Sequence, residues 1–472
     1  MNLSAELKRY FGFSTFRPGQ EEIIQTLLDK DDVLAVLPTG NGKSLCYQLT
    51  GYLSEGLVIV VSPLLSLMED QVMQLQKMGE KRVVAFNSLL TFSERKYVME
   101  HLSQYKFLFL SPEMLVQSEI LTQLKRQKIG LFVVDEAHCV SQWGVDFRPE
   151  YQRLGEIRTQ LEIPVTLALT ATATSAVQQD IETVLFTNKP KIVKHSVNRE
   201  NIALFVRETT QKTAELEAIM KEINGATIIY CATKKEVERL YAELRGRFSI
   251  GYYHGGLDAS QRRQLQQQFS QNQLQFLIAT NAFGMGIDKA DIRYIIHYDL
   301  PDSLENYVQE IGRAGRDQKP STAILLYQTG DEVIHHFFNQ LAKEQRQGFE
   351  IYLAHGEEIE QPFDELQQKW LEIVKKTNQP DQWMEKLKIQ EKEKQFRLYQ
   401  MLRYIHATTC RREFILNYFG EKLTEKPQNC CDIDEASWLL FAETKVGTSN
   451  FENNWEEILL NLFKKNVEGE FF

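Results

Sequence analysis

The sequence predicts an α/β protein with two tandem parallel-sheet lobes. Short apolar runs alternate with helical patterns in two successive sets: residues 33–37, 58–61, 107–110, 131–134 and 165–169 form the first, and residues 227–230, 250–253, 276–279 and 294–297 form the second. Such runs are typical of strands that are buried on both faces of a parallel sheet. A glycine-rich loop directly after the first run supports this class, and two such lobes favour a nucleotide cleft between them.

The length and composition exclude several classes of protein. At 472 residues the chain is long enough for about three domains. It is 43% hydrophobic and 25% charged, as in an ordinary globular protein, and it has no run of about 18 apolar residues that could span a membrane. Six scattered cysteines are too few for a disulfide framework, and the N-terminal residues do not resemble a secretory signal. We therefore expect a cytoplasmic protein without a membrane partner.

The formal net charge of −10 neither proves nor excludes a nucleic-acid partner. Residues 421–472 hold 11 acidic and 5 basic residues, so much of the negative charge lies toward the C-terminal end. The remaining body is nearly balanced, and local basic and aromatic grooves can still bind phosphates there.

A phosphate-binding loop (P-loop) follows the first predicted strand. Residues 38–44 read Pro-Thr-Gly-Asn-Gly-Lys-Ser and lead into a predicted helix at residues 45–49. Its candidate nucleotide-binding residues are Thr39, Gly40, Asn41, Gly42, Lys43 and Ser44. Lys43 can reach the β and γ phosphate oxygens, and the Ser44 hydroxyl can join the shell of a Mg²⁺ ion. Leu37 stands where the usual motif begins with glycine, but the strand-loop-helix context still indicates nucleotide binding.

Two acidic residues follow the predicted strand at residues 131–134. In open α/β sheets, ligands bind at the carboxyl ends of the strands. Asp135 is therefore placed to hold Mg²⁺ on a nucleotide, and Glu136 to orient or deprotonate the attacking water. A surface turn with two acids is the alternative for this pair taken alone.

Residues upstream of the P-loop are candidates for binding the adenine base. The Gln20 side chain can both donate and accept hydrogen bonds, which matches the edge of adenine. Arg17 lies nearby in the sequence as a stacking candidate. Taken alone, this stretch is only a turn between helices.

Further candidates follow strands in both predicted lobes. Thr170 and Thr172 can link the nucleotide site to a strand-shaped ligand. In the second lobe, residues 280–288 and 309–317 carry the candidates Thr280, Asp288, Arg313 and Arg316. Either arginine can serve as an arginine finger, which adds about 10³ to 10⁵ in rate in other phosphoryl-transfer enzymes. Without the other motifs, the two arginines would be a solvated basic turn.

The order of these motifs resembles that of superfamily 2 helicases. Five motifs carry this resemblance: Phe-Arg-Pro-Gly-Gln at 16–20, Thr-Gly-Asn-Gly-Lys-Ser at 39–44, Asp-Glu-Ala-His at 135–138, Thr-Ala-Thr at 170–172 and Gln-Glu-Ile-Gly-Arg-Ala-Gly-Arg-Asp at 309–317. Ser-Gln-Trp-Gly-Val-Asp-Phe-Arg-Pro-Glu-Tyr at 141–151 narrows the resemblance to the RecQ family. The resemblance implies an α/β fold of two RecA-like lobes, at 1–205 and 206–334, a helical zinc-binding subdomain at 335–434, and an acidic tail or winged-helix remnant at 435–472.

The resemblance also implies residues that couple DNA to ATP. In the RecQ family an aromatic-rich loop lies directly after the Asp-Glu-Ala-His box. The matching DNA-binding or coupling residues here are Gln142, Trp143, Phe147 and Arg148, with His138, Thr170, Thr172 and Thr280 in supporting positions. Aromatic faces stack on bases at about 1–3 kcal/mol each without reading sequence. Core packing is the alternative for Trp143 taken alone.

The family's zinc site has a partial match near the C-terminal end. Cys410, Cys430 and Cys431 are present, but Asp434 stands where the fourth cysteine would fall. Carboxylate oxygen is an acceptable Zn²⁺ ligand, so a set of three cysteines and one aspartate is feasible. His406, one helical turn before Cys410, is the reserve ligand. The alternative is a site that has lost its metal and keeps three buried thiols.

The resemblance thus implies an ATP-dependent DNA helicase that moves 3′ to 5′ along single-stranded DNA, with a role in DNA repair or recombination. We expect ATP, Mg²⁺ and Zn²⁺ as cofactors, single-stranded and forked DNA as partners, single-strand-binding or repair proteins as further partners, a monomer, and a place at the bacterial nucleoid. The 38 residues after Asp434 are too few for a full winged helix or a further C-terminal domain. A translocase that unwinds weakly and a non-catalytic DNA-binding scaffold therefore stay open as alternatives, and an RNA helicase is less favoured.

Overall fold

Two separate parallel sheets organise the described part of the chain, which comprises residues 2–141, 149–283, 289–355 and 363–439 of the computed structural model. The first sheet contains β1 (Val33–Val36), β2 (Leu57–Val61), β3 (Val83–Phe86), β4 (Phe107–Leu110), β5 (Ile129–Val134), β6 (Thr166–Thr170) and β7 (Lys191–Lys194). The second contains β8 (Ile202–Glu208), β9 (Ala226–Tyr230), β10 (Ile250–Tyr253), β11 (Phe276–Ala279), β12 (Ile292–His297) and β13 (Ser321–Tyr327).

Helices connect the strands and follow them. Those associated with the first sheet are α1 (Leu3–Phe11), α2 (Gln20–Leu28), α3 (Lys43–Leu53), α4 (Leu65–Lys77), α5 (Phe92–Glu100), α6 (Pro112–Leu115), α7 (Ser118–Leu124), α8 (Leu154–Gln160) and α9 (Ser175–Leu185). The second sheet has α10 (Lys212–Glu222), α11 (Lys234–Leu244), α12 (Ala259–Ser270) and α13 (Leu304–Ile311). After it come α14 (Val333–His355), α15 (Glu365–Thr377), α16 (Pro380–Ile405) and α17 (Arg411–Tyr418).

The first sheet brings the predicted functional loops to one edge. Its order is β3-β4-β2-β5-β6-β1-β7, and every neighbouring pair is parallel. The carboxyl ends of parallel strands lie at the same edge of a sheet, so the loops after β1, β5 and β6 are neighbours. Strands β1, β2 and β5 are buried along their whole length, as is typical of a parallel sheet that is covered on both faces. This edge therefore carries the P-loop, the two acids and the threonines at 170 and 172.

The second sheet repeats the architecture with the order β10-β11-β9-β12-β13-β8. Its core is continuous with the cysteine-bearing segment, because Ile228 and Tyr307 belong to the same apolar cluster as Met401 and Cys431. The last segment thus packs directly against the second lobe. Helices α14, α15 and α16 bury a smaller core of their own around Phe349 and neighbouring apolar side chains.

The prediction of two parallel-sheet lobes followed by a helical subdomain is confirmed. The strands predicted at nine apolar runs are all present, and four others were not predicted: β3, β7, β8 and β13. The second sheet begins at Ile202, close to the boundary predicted at 205/206. The chain divides into one unit at residues 1–438 and another at 439–472. Residues 440–472, which contain most of the predicted tail, lie outside the described residues. Among the described helices, none combines the length and the low polarity that crossing a lipid bilayer requires.

Candidate active site and cysteine cluster

The P-loop connects β1 to α3 in a conformation that depends on glycine. Gly40 has a φ of 88° and Gly42 a φ of 70°, which is the left-handed region that glycine adopts without steric cost. Gly42 is the N-cap residue of α3, and Lys43 is its first helical residue. The unpaired N–H groups at a helix start attract anions, so phosphate oxygens fit here. Ser44 follows on the same helical turn, as the predicted Mg²⁺ role requires.

The P-loop lysine, which follows β1, is in contact with the second acid, which follows β5. The Lys43 ammonium nitrogen lies 3.4 Å from Oε1 of Glu136, and both side chains are largely buried. Glu136 itself has a φ of 49°, an uncommon conformation for a residue with a side chain. Such backbone strain is often found at functional positions. The structure thus brings the P-loop lysine and the second acid into direct contact.

The two adjacent acids have opposite pKa shifts. Burial, followed by the negative charge of Glu136, raises the pKa of Asp135 to about 6. Burial would also raise the pKa of Glu136, but its interactions with Lys43, His138 and Arg313 hold it below its usual value. A Mg²⁺ ion beside Asp135 would favour its ionised form against this burial and the charge of Glu136. A carboxylate oxygen is a suitable ligand for that ion.

His138 links the acids to the next strand. Its Nδ1 lies 3.4 Å from Oε2 of Glu136 and 3.0 Å from the hydroxyl oxygen of Thr170. The Thr170 hydroxyl donates its proton to the carbonyl of Thr172, at 2.9 Å, so Nδ1 must be the donor to Thr170. Burial lowers the pKa of His138, which favours this neutral tautomer. Two hydrogen bonds thus join three of the predicted coupling residues, His138, Thr170 and Thr172.

The predicted arginines of the second lobe lie at the P-loop and the acids. Arg313 is buried, with 5% exposure, and its charge helps to lower the pKa of Glu136. The aliphatic part of Arg316 lies over the P-loop, because a Cβ at Gly40 would stand 2.9 Å from its Cγ. The preceding Gly312 is equally close, since a Cβ there would stand 3.1 Å from Cβ of Thr39. The basic turn is therefore part of the nucleotide cleft and not a solvated surface.

Arg17 and Gln20 bind the P-loop backbone in this structure. The Arg17 guanidinium donates to the carbonyl of Gly40. The Gln20 amide donates to the carbonyls of Asn41 at 2.9 Å and Gly42 at 3.0 Å, and accepts from the backbone N–H of Arg17. Both residues thus lie beside the P-loop, and their polar groups are hydrogen-bonded to its main chain instead of being free for a base.

A third arginine at the cleft was not predicted from the sequence. Arg199, between β7 and β8, donates to the carbonyl of Thr39 at 3.1 Å and to that of Gly312 at 3.0 Å. It lines a cleft of about 1050 Å³ together with Arg316 and with Lys422, which follows α17. Residues from both sheets and from the cysteine-bearing segment therefore surround the candidate nucleotide site.

Several predicted residues are not placed with this group. Thr280 is buried at the end of β11, where its backbone N–H donates to the carbonyl of Tyr253. The aromatic-rich loop residues Gln142, Trp143, Phe147 and Arg148 lie outside the described residues, as does Asp288. The roles predicted for them stay predictions.

The predicted zinc ligands form one cluster. The ligand atoms of Cys410, Cys430, Cys431 and Asp434 all lie within 4.8 Å of one another. The Cys410 and Cys430 sulfurs are 3.6 Å apart, and the Cys431 sulfur lies 3.0 Å from Oδ2 of Asp434. Tetrahedral zinc with bonds of about 2.0 to 2.3 Å needs ligand atoms at about these separations. Three buried thiols and one carboxylate thus fit Zn²⁺.

His406 lies away from this cluster. Its Nδ1 is 3.5 Å from a carboxylate oxygen of Glu208, its ring packs on Tyr327, and its side chain is half exposed. The structure therefore places Asp434, and not the reserve ligand, beside the three sulfurs.

Three family models match the chain in the order of its structural parts. They are "DEAD/DEAH box helicase" at residues 17–181, "Helicase conserved C-terminal domain" at residues 211–318 and "RecQ zinc-binding" at residues 369–435. The first covers β1 to β6 of the first sheet, the second covers β9 to β12 of the second sheet, and the third covers the cysteine cluster.

Curated relatives and a solved structure agree with these matches. The probable ATP-dependent DNA helicase RecS of Bacillus subtilis is 51% identical over 334 residues, which are 70% of this chain and 67% of that protein. The ATP-dependent DNA helicase RecQ of a Synechocystis species is 35% identical over 91% of this chain and 98% of its own length. The DNA-bound helicase MrfA shares the fold, with a TM-score of 0.59 and 22% identity over 71% of this chain and 50% of its own.

Several other curated relatives are longer than this chain, which spans 61 to 65% of their length. The relative from Synechocystis is instead matched almost from end to end. With the two helicase models and the zinc-binding model in place, the chain belongs to the RecQ family of ATP-dependent DNA helicases.

Proposed function

We propose that this chain is an ATP-dependent DNA helicase that moves 3′ to 5′ along single-stranded DNA and separates duplex strands. The observation that carries the proposal is the contact series from Lys43 through Glu136 and His138 to Thr170. It joins a phosphate loop and a carboxylate pair to the strand end that is predicted to respond to DNA. The direction of movement rests on the family resemblance.

A few side chains of the first lobe would share the roles that ATP hydrolysis requires. Lys43 and the N–H groups at the start of α3 bind the β and γ phosphates. Ser44 and Asp135 would hold a Mg²⁺ ion, which would neutralise charge on the same phosphate oxygens. Glu136 orients a water molecule and accepts its proton as the water oxygen attacks the γ phosphorus. The bond from that phosphorus to the bridging oxygen breaks, and ADP leaves.

The second lobe supplies positive charge from across the cleft. Arg313, whose charge helps to lower the pKa of Glu136, would stabilise charge on the γ phosphate. Arg316, which lies over Gly40, would contact the neighbouring phosphate. Because both arginines belong to the other sheet, hydrolysis requires the two lobes to be closed on each other.

Adenine recognition by Gln20 requires a local change. Its amide nitrogen is engaged by two P-loop carbonyls, at 2.9 and 3.0 Å. To read the adenine edge, Gln20 must release these carbonyls when the nucleotide enters. Arg17, which holds the carbonyl of Gly40, is released in the same step and becomes free to stack on the base.

The residues predicted to contact DNA follow His138 in the sequence. Trp143 and Phe147 would stack on bases, with Gln142 and Arg148 on the backbone, directly after the segment that carries His138. A change in this loop on DNA binding would then reach Glu136 through His138. Thr172 lies in the same series, and Thr280 and Asp288 would serve the second lobe.

An ATPase assay with a panel of nucleic acids tests the proposal. Single-stranded DNA should raise turnover of the purified chain strongly, a forked duplex should be unwound only with ATP, and RNA should stimulate less. Trp143→Ala should keep its affinity for a fluorescent ATP analogue and lose DNA stimulation, whereas Tyr399→Ala, an exposed aromatic on α16, should behave as wild type. ATPase activity that ignores single-stranded DNA would rule out the function.

The assembly state and the partners are proposed with the function. We expect a monomer on sedimentation, both free and with one single-stranded oligonucleotide. Single-strand-binding or repair proteins are the partners implied by the family, and a DNA-free pull-down against purified candidates would test each one.

A further inference from the structure

The guanidinium of Arg199 joins two parts of the nucleotide cleft. It donates to the carbonyl of Thr39 in the P-loop at 3.1 Å. It also donates to the carbonyls of Gly312 at 3.0 Å, Ala314 at 3.0 Å and Gly315 at 2.7 Å. The last three carbonyls belong to the turn that contains Arg313 and Arg316. One side chain thus ties the arginine-bearing turn to the phosphate loop of the other lobe.

Only arginine can make this set of contacts. Its planar guanidinium has five N–H donors in a fixed fork, whereas a lysine ammonium is a compact point with three. The acceptors that the structure gives Arg199 are four main-chain carbonyls, which the two terminal nitrogens of one fork reach together.

A second arginine holds the main chain around Arg199. Arg412, on α17 and 3% exposed, donates to the side-chain oxygen of Asn198 at 2.7 Å, to the carbonyl of Arg199 at 2.9 Å and to that of Ile202 at 2.5 Å. Its Nε lies 3.4 Å from the sulfur of Cys430, one of the zinc-fitting thiols. Through Arg412, the cysteine-bearing subdomain therefore binds the segment that connects the two lobes on both sides of Arg199.

We propose that Arg199 is a positioning residue for ATP hydrolysis, which holds the turn at residues 312–315 against the P-loop, and that Arg412 fixes Arg199 from the cysteine-bearing subdomain. This inference rests on the proposed ATP hydrolysis. It assigns a role in that reaction to two residues that touch neither water nor the scissile bond. They act by setting where Arg313 and Arg316 stand.

The expected effect is on turnover more than on nucleotide affinity. Nucleotide binding depends mainly on the P-loop, which stays intact without Arg199. A misplacement of about 1 Å in a group that acts on the transition state can cost on the order of 100-fold in rate. An interaction made in the transition state lowers kcat when it is lost, and leaves ground-state binding nearly unchanged.

The first experiment compares three variants with wild type. Arg199→Ala and Arg199→Lys should each lower DNA-stimulated kcat by about 10- to 100-fold. Their dissociation constants for a fluorescent ATP analogue should stay within about threefold. Asn201→Ala is the matched comparator, because Asn201 donates to the carbonyls of Gly315 and Lys319 and makes no such contact with the P-loop. Its kcat should fall by less than about threefold.

Each other pattern overturns the inference. If Arg199→Lys restores wild-type kcat, a positive charge alone is enough and the fork has no positioning role. If Asn201→Ala lowers kcat as much as Arg199→Ala does, then kcat depends on the stability of the turn and not on its contact with the P-loop. If kcat falls only in proportion to the fraction of protein that binds nucleotide, the residue is merely structural.

A double-mutant cycle tests the connection between the two arginines. Arg412→Lys should lower kcat in the wild-type background and have little further effect in the Arg199→Ala background, because both changes break one series of contacts. Zinc content and melting temperature show whether Arg412→Lys is folded. If that variant loses its metal, Asn198→Ala, which removes one acceptor of Arg412, replaces it in the cycle. Full additivity overturns the connection.

Failure of this inference is distinguishable from failure of the proposed function. Wild-type protein without DNA-stimulated ATPase activity contradicts the function itself. Wild-type protein with that activity, alongside an Arg199→Ala variant whose kcat matches it, contradicts only the positioning role.

Discussion

The Nδ1 of His138, which follows β5, lies 3.0 Å from the hydroxyl oxygen of Thr170, the last residue of β6. Their strands, β5 and β6, are parallel neighbours, so the two strand ends meet at the same edge. A displacement of the segment after β6 therefore moves the acceptor of the histidine that adjoins Glu136. This contact connects the carboxylates to a strand end that is predicted to respond to DNA.

Thr170→Val tests that connection. Valine keeps the shape of threonine but removes the hydroxyl that accepts from His138. Loss of one such buried hydrogen bond costs on the order of 1 kcal/mol, so DNA stimulation of the ATPase should fall by about 5- to 10-fold, and basal turnover by less. Thr183→Val, on the exposed part of α9, is the control. Unaltered stimulation in Thr170→Val would contradict the coupling role.

Glu136→Gln tests the proton acceptor. The amide is nearly the same size as the carboxylate but does not accept a proton from water, so kcat should fall by about 10²- to 10⁴-fold. Affinity for an ATP analogue should be retained, because Lys43 and the P-loop are unchanged. Steady-state turnover and equilibrium binding measure the two effects, with the exposed Glu119→Gln as control. Full turnover in Glu136→Gln would exclude it as the base.

Asp434→Ala tests the composition of the cysteine cluster. Wild-type protein should contain about one zinc ion per chain, as expected for a closed structural site. Removal of the fourth ligand should lower that content after dialysis against a mild chelator, and should lower the melting temperature. His406→Ala should keep its zinc, since His406 contacts Glu208 instead. Elemental analysis decides, and a wild-type protein without zinc ends the claim.

Asp70→Asn should stabilise the protein in a pH-dependent way. Burial, followed by repulsion from Glu69, raises the pKa of Asp70 to about 6, against the partial relief from Lys77 and Arg263. A raised pKa in the folded state means that the ionised form destabilises the fold, so stability is lost as pH rises from about 4 through 6. The neutral variant should gain about 1 to 3 °C in Tm at pH 7.5 and less at pH 5.

The comparison is made by differential scanning at both pH values. Equal gains in Tm at pH 5 and pH 7.5 would show that Asp70→Asn does not act by removing an ionisable group.

The contact between Lys43 and Glu136 could be predicted because each residue belongs to a short local pattern. Lys43 stands at a loop-to-helix junction and Glu136 directly after a buried strand, so strand order alone brings them together. Arg199 could not be found in this way. Its acceptors are main-chain carbonyls 113 to 160 residues distant in the sequence, and a carbonyl carries no signature of residue type. Arg412 and its partner Asn198 are 214 residues apart, so no local pattern joins them either.

The unpredicted elements have similar causes. Strand β7 reads Lys-Ile-Val-Lys and is mostly exposed, because it lies at the edge of the first sheet, so the apolar run that marks a buried strand is missing. Helices α14 to α16 have apolar residues at helical spacing, but spacing does not reveal which helices pack together. Their shared core, with Trp370 and Trp383 from two of them, emerges only in three dimensions.

The position of β1 within its sheet has a consequence for biosynthesis. The strand that precedes the P-loop is made first, yet its only hydrogen-bonded neighbours among the described strands are β6 and β7, which end at residues 170 and 194. Until those residues leave the ribosome, Val33 to Val36 have no partner strand, and pairing over such long separations in sequence is slow. The ATP site of a growing chain is thus completed only after the whole first lobe has been synthesised, so a nascent chain shorter than this should be unable to retain nucleotide.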